Sequence, residues 1–295
     1  HTIGRRQRQM CIRDRNNMTE IKLIGMQLAL ENGDNKNYVV RRIKQQVNNT
    51  RGVQLIVLSE LCFFGPGSDK KHFYLEHYID ELRDLAKHTK SWLIPGTFYQ
   101  NVNGKIFNIA PVFNPEGELV AKCPKNFPWL PYEKNVDSTD QSTLFTIPNV
   151  GTVGLHICYD LWFPETSRIL ALKGAEMIVN PTLTPTKDRE IETIMARATA
   201  AQQQLYYVDI NGGGKQAIGK SIVCDPNGSV IHQSDKHEDI FTLTLDFDLV
   251  RKTRQLGTFG LGQPLKSFRD HSNYLELYAN RYDENFLSKL GPLVE

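Results

Sequence analysis

One stretch of thirty residues, Gly151 to Asn180, reads GTVGLHICYDLWFPETSRILALKGAEMIVN. Its pattern is strand, sharp turn, helix, strand. Such a unit commits the chain to a sheet with helices packed against it. Residues 152–157 form a short β-branched and apolar run, as expected of a buried strand. Cys158 stands at the carboxyl end of that run, and residues 159–163 leave the sheet. Pro164 suits the first position of a helix, and Glu165 favours the positive end of the helix dipole. The helix should carry Ile169, Leu170 and Leu172 toward the core and stop at Gly174. Residues 176–180 are the next buried strand. A thiol at a strand-to-helix turn is held rigidly, and nearby backbone N–H groups can meet a developing oxyanion.

On the local pattern alone, two readings of Cys158 stand open: a small buried hydrophobe, or a nucleophile. Its company bears on the choice. Glu60 ends another apolar run, residues 53–59, and Lys125 ends a third, residues 119–123. In open α/β sheets, sites form where the carboxyl ends of strands converge. An acid, a base and a thiol each stand at such an end.

Several of these segments resemble one family. ICYD-x-x-FPE-x-x-R followed by KGAE-x-I, with SEL and CPK upstream, is similar to the nitrilase superfamily of carbon–nitrogen hydrolases, over residues 21–270. The resemblance implies a four-layer α-β-β-α sandwich of two mixed sheets with helices outside. It also implies pairing of subunits through helices into eight layers, with C-terminal tails that cross to a partner. It assigns Glu60, Lys125 and Cys158 to the family's catalytic Glu–Lys–Cys triad. KNFPWLPYE (residues 125–133) is similar to the aliphatic amidase and formamidase branch, which adds a second glutamate, here Glu133. One departure is that Cys123 and Pro124 stand where a Tyr-Arg pair commonly precedes the lysine.

Composition sets wider limits. With 40% hydrophobic and 23% charged residues, the chain reads as an ordinary soluble globular protein. No apolar run approaches the ~20 residues of a membrane helix, and no secretory signal pattern is present. Five cysteines without C-x-x-C spacing argue for reduced thiols in a cytoplasm, and against a disulfide framework or a zinc site. The net charge of +2 misleads, because five Arg and one Asp in residues 1–17 contribute +4 and leave −2 for the rest. Those residues read as a disordered, non-native extension before Met18, so neither nucleic acid nor a membrane is expected as a partner. A single hydrolase domain is expected over residues 18–270, with a C-terminal extension over 271–295.

Along the chain, strands are expected at residues 21–30, 53–59, 92–99, 205–210 and 241–247. Helices are expected from Asn35 or Asn37 to about Asn48, over 73–87, and to about Gln203. Hairpins are expected over 105–123, turning at Asn114, Pro115 and Gly117, and over 221–233, turning at Asp225, Asn227 and Gly228. The glycines of NGGGKQAIGK lack phosphate-loop and dinucleotide spacings and read as a flexible turn. Phe63 and Phe64 are read equally as pocket wall or core.

The chemistry assigns roles. Splitting amide hydrolysis into acyl transfer to sulfur and thioester hydrolysis makes each step easier. Glu60 would serve as base and then acid, and Lys125 as the cation for the oxyanion, with a backbone N–H near Tyr159 as second donor. Glu133 would orient substrate or lysine, or else be a plain surface or salt-bridge residue. Asp160 reads as structural, bonding loop N–H groups. His156, at i−2 on the same face as Cys158, reads as packed or hydrogen-bonded structure. Trp129, Tyr132 and Trp162 read as pocket walls or core, and Cys62 and Cys123 as packing. The function expected is a cofactor-free, metal-free amidase acting on a small amide. The alternatives are a nitrilase, an N-carbamoyl amidohydrolase or a non-catalytic binding protein, in each case as a homodimer or higher oligomer.

Overall fold

A computed structural model describes residues 19–271. The expected extension over residues 1–17, and all but the first residue of the one over 271–295, lie outside these residues.

Strand alternation decides the layering. The chain begins with β1 (Glu20–Gln27), β2 (Ala29–Leu30), β3 (Leu55–Leu58), β4 (Trp92–Ile94), β5 (Phe98–Val102), β6 (Lys105–Phe113) and β7 (Leu119–Pro124). It continues with β8 (Leu144–Ile147), β9 (Gly151–Leu155), β10 (Met177–Thr182), β11 (Tyr206–Asn211), β12 (Gly213–Gly214), β13 (Ile222–Cys224), β14 (Val230–Gln233) and β15 (Asp239–Asp246). One sheet runs β15-β1-β3-β4-β6-β5, with β7 also paired to β6. The other runs β14-β13-β11-β10-β9-β8. β1, β3 and β4 are parallel, as are β9, β10 and β11, and antiparallel strands flank each set.

Successive side chains of a strand face opposite ways. Ile21 and Leu23 of β1 and Leu55 and Val57 of β3 therefore meet Met177, Val179, Tyr206 and Val208 of the other sheet in an inner apolar layer. Their neighbours Ile24, Met26, Ile56 and Leu58 face outward, onto helices α1 (Lys36–Asn49) and α2 (Ile79–Thr89). On the far side Ile178 and Tyr207 pack under α3 (Pro164–Leu172) and α4 (Arg189–Gln203). This is the expected four-layer α-β-β-α sandwich. At Gly25 a Cβ would stand 2.3 Å from a ring carbon of Phe241, its partner on β15, and 2.9 Å from Ile210 Cδ1 of the other sheet.

Some expectations need correction. Ile169 and Leu172 are exposed, while Leu170 and Ala171 are buried. An outer helix buries one stripe, and 169 and 172 share the opposite one. The helix expected over 73–87 begins only at Ile79. Phe73 stacks on Phe64 at 4.2 Å and Tyr78 lies 4.6 Å from the same ring, and two 3-10 turns accommodate this packing. Phe63 and Phe64 thus belong to the outer core. The strand expected over 92–99 is two strands, because Pro95 lacks an N–H and Gly96 adopts φ +79°. Residues 21–30 likewise divide into β1 and β2, and β2 pairs with the glycines of β12, so the NGGG turn is partly a ladder. The chain after β15 forms two further helices, α5 (Phe247–Leu256) and α6 (Pro264–Arg269). Among the described residues no helix is long and apolar enough to cross a membrane.

Gly96 locks the turn beside Glu60: a Cβ there would sit 2.0 Å from the Ser59 carbonyl oxygen. Left-handed φ alone costs a non-glycine residue about 1–2 kcal/mol. With this backbone clash, Gly96→Ala should lose roughly 3 kcal/mol or more of stability in urea unfolding. A change under about 1 kcal/mol would show that the turn can shift freely.

Candidate active site

Three strand ends deliver the three polar groups. Glu60 follows β3, and its N–H donates to the Thr182 carbonyl at the end of β10 (3.2 Å). Leu61 then takes φ +50° and donates its N–H to Thr97 Oγ1 (3.1 Å), which turns the chain out of the sheet. Lys125 follows β7, and its N–H continues the ladder to the Asn108 carbonyl (2.8 Å). Cys158 opens a 3-10 turn, Cys158–Trp162, at φ +48°. A left-handed non-glycine residue is strained and persists only where its surroundings over-determine it. Asp160 does much of this. Its carboxylate accepts from the backbone N–H groups of Ile157 (3.0 Å), Phe127 (2.9 Å) and Asn126 (3.1 Å), tying the turn of Cys158 to the loop after Lys125.

The side chains converge in a buried cluster. Lys125 Nζ lies 2.9 Å from Glu60 Oε1 and 2.7 Å from Glu133 Oε2. Asn108 Nδ2 donates to both carboxylates, to Glu60 Oε1 at 2.8 Å and to Glu133 Oε1 at 2.9 Å. Glu133 Oε2 also accepts the Trp129 N–H at 2.7 Å. The Cys158 sulfur lies 3.9 Å from Thr184 Oγ1, and the charges of Glu60 and Lys125 both act on it. Lys125, Glu60, Cys158 and Glu133 are all buried.

Two carboxylates surround one ammonium, so full ionisation leaves a net negative charge out of water. Burial lifts the Glu60 carboxyl above its ordinary value, with Lys125 opposing and Glu133 adding to the rise. Burial works against the Lys125 charge, but Glu60 and Glu133 outweigh it and hold the ammonium well above the ordinary lysine value. Burial pushes the Cys158 thiol well above its ordinary value, and the Glu60 charge reinforces this. These directions favour a neutral thiol beside a charged lysine.

The other expected residues divide. Glu133 joins the cluster rather than the surface. Trp129 contributes its backbone N–H, and its ring lies 4.6 Å from that of Tyr132, which is 70% exposed and walls nothing. Tyr159 is half-buried between Trp162 and Phe163. Trp162 donates its indole N–H to Glu192 Oε1 (3.2 Å). His156 does not share a face with the thiol. It bonds Tyr207 Oη (3.1 Å) in the outer core, and burial lowers it to about 3, so it is a neutral structural residue. The left-handed turn at Cys158 swings the sulfur into the inner layer instead. Cys62 and Cys123 bond backbone carbonyls and pack.

Sequence reasoning missed Asn108, Thr184 and Glu192. Asn108 had a signal, being an amide in the apolar strand KIFNIAPVF, where a buried polar group needs a partner. Thr184 and Glu192 had none, since each stands in a segment that reads as a polar loop or an exposed helix turn. Among the described residues no group of three or more His, Cys, Asp or Glu could hold a metal ion.

Comparison with known proteins follows the same lines. The carbon-nitrogen hydrolase family profile matches residues 24–255. The omega-amidase NIT2 of Homo sapiens is 27% identical over 258 residues, covering 80% of this chain and 91% of that protein. The 2-oxoglutaramate amidase of Paenarthrobacter nicotinovorans is 29% identical over 234 residues, covering 73% of this chain and 80% of that protein. In fold, Nit3 of Saccharomyces cerevisiae, a member of branch 10 of the nitrilase superfamily, superposes with a TM-score of 0.72 at 26% identity, covering 80% of this chain and 93% of that one. A carbon-nitrogen hydrolase of Helicobacter pylori gives 0.76 at 21% identity, covering 90% and 99%. With the sandwich and the matched profile both in hand, the chain belongs to the carbon–nitrogen hydrolase family.

Proposed function

We propose that the protein hydrolyses small amides, R–CO–NH2, to acid and ammonia through a thioester on Cys158. The observation that carries this is the buried ion pair of Glu60 with Lys125, whose two charges both act on the buried Cys158 thiol. As sulfur attacks the carbonyl carbon, Glu60 takes the thiol proton. The oxyanion that forms is met by Lys125 and by the Tyr159 N–H, at the start of a 3-10 turn where N–H groups lack intrahelical acceptors. Glu60 returns its proton to the departing nitrogen, and ammonia leaves as the thioester forms. Glu60 then takes a proton from water, hydroxide adds to the thioester carbonyl, and the C–S bond breaks with the proton returned to sulfur. Glu133 and Asn108 hold Lys125 and Glu60 in place throughout. The 4% exposure of Cys158 favours a small acyl group. The amidase names of the two curated relatives support an amide rather than a nitrile or carbamoyl substrate.

The expected pairing of two copies has a candidate face. Ile169 and Leu172 of α3, and Ile191 and Ile194 of the adjacent α4, are exposed apolar residues on the outer layer. A second copy of the chain, pairing helix to helix, is the occupant the family resemblance implies.

Three outcomes test these readings. Cys158→Ala should lose about four orders of magnitude or more of ammonia release across a panel of amides, nitriles and carbamoyl compounds, and intact mass should show an acyl adduct on the wild type alone. Ammonia release by Cys158→Ala at the wild-type rate would remove the assignment. The second test is the pH profile of kcat/KM. Glu60 must be ionised to accept the proton, and its folded value is raised, so activity should fall on the acid side with a midpoint above the ordinary 4.5. That midpoint belongs to the coupled cluster, and a limb at or below 4.5 would count against Glu60 as the base. Finally, Ile194→Asp should shift the particle toward monomer in light scattering, whereas an unchanged mass would exclude this face.

A further inference from the structure

A second polar network surrounds Cys158, bonded separately from Lys125 and Glu133. Thr184 Oγ1, 3.9 Å from the sulfur, donates its proton to Glu192 Oε2 at 2.8 Å. Arg189 Nη1 donates to the same oxygen at 3.2 Å, and Arg189 Nη2 donates to Asp209 Oδ1 at 2.8 Å. Asn180 Nδ2 donates to Asp209 Oδ2 at 3.2 Å and reaches the Cys158 carbonyl oxygen at 3.5 Å. The circuit leaves from the sulfur and returns to the carbonyl of the same residue. Every member is buried, and Arg189 and Asp209 are fully so.

Three buried charges are costly to desolvate, and apolar side chains could anchor the start of α4 as firmly. What a carboxylate does here that an apolar residue cannot is fix the direction of a hydroxyl. An ionised carboxylate only accepts, and a hydroxyl has one proton. With that proton committed to Glu192, Thr184 turns lone pairs toward the sulfur. An S–H can donate to them, but a thiolate finds no donor there.

We propose that Glu192 is a positioning residue for the nucleophile, acting through Thr184 to keep the Cys158 thiol protonated and aligned until attack. The inference rests on Cys158 being the nucleophile of the proposed reaction. The charged groups around the sulfur are consistent with it. Glu60 and Glu192 face it from separate elements and both favour the neutral thiol, while Lys125 and the Leu183 backbone oppose them. Asp160, on the turn of Cys158 itself, is occupied by three backbone N–H groups. Arg189 and Asp209 stand behind Glu192. The thiol proton therefore moves to Glu60 in concert with attack rather than being lost beforehand.

The test is the rate of Cys158 alkylation by iodoacetamide as a function of pH, read by peptide mass, which requires no turnover. Thr184→Val keeps the side-chain shape and removes the hydroxyl, and Glu192→Gln removes the charge. Each should move the midpoint down by about one pH unit or more, giving roughly tenfold faster modification at a fixed pH on the acid side. Thr184→Ser should keep the wild-type profile. A Thr184→Val profile that superimposes on wild type overturns the proposal, and that variant decides the matter if Glu192→Gln does not fold. Failure of the parent reading shows separately, as ammonia release retained by Cys158→Ala.

Discussion

Lys125 between Glu60 and Glu133 is the interaction on which the site depends. Three ionisable groups lie out of water, and their mutual contacts, with those of the Asn108 amide and the Trp129 N–H, offset the loss of hydration. Breaking such a pair by removing one partner typically costs about 3–5 kcal/mol, more than the 0–1 kcal/mol of a surface pair. The same excess of one negative charge that makes the cluster expensive gives it a carboxyl able to take a proton. In this arrangement stability and chemistry draw on one electrostatic imbalance. Asn108 belongs to it as much as the lysine does, because its amide spans the two carboxylates.

The sandwich holds this imbalance in place. β3 and β7 lie in one sheet and β9 in the other, so Glu60 and Lys125 reach Cys158 only because the sheets pack face to face. Two left-handed residues, Leu61 and Cys158, turn the chain at the two places where side chains must leave their strands. Each is over-determined by hydrogen bonds, Leu61 through Thr97 and Cys158 through the bonds of Asp160. Rigid scaffolding of this kind lets a weakly acidic thiol be placed without being ionised.

The second network extends the same logic to the other contacts of the sulfur. Arg189, Glu192 and Asp209 form a buried triad with the charge pattern of Lys125 and its carboxylates, one cation between two anions. Cys158 thus sits between two clusters that each carry an excess negative charge when fully ionised. Both disfavour a free thiolate, and only Lys125 offers it a counter-charge.

Much of this was legible in the amino-acid order. The strand–turn–helix–strand unit, the ends of three apolar runs and the hairpins at Asn114 and Asp225 were read correctly because each depends on local rules: alternation, turn chemistry and a proline at a helix start. The positions of Glu60, Lys125 and Cys158 at strand ends followed from the same rules. Where packing between distant segments overrode local preference, the reading failed. Aromatic stacking on Phe64 delayed the helix to Ile79, and the turn at Gly96, pressed against Ser59, cut one strand into two. The left-handed turn at Cys158 moved the sulfur off the face that alternation assigned it. The family motifs carried by the sequence implied the four layers, and residue types and spacing determined the strands, the hairpins and which side chains stand at strand ends. Only the tertiary structure decided that Asn108, Thr184 and Glu192 stand beside them, because a buried hydrogen bond between segments far apart in the chain leaves no periodicity in either one.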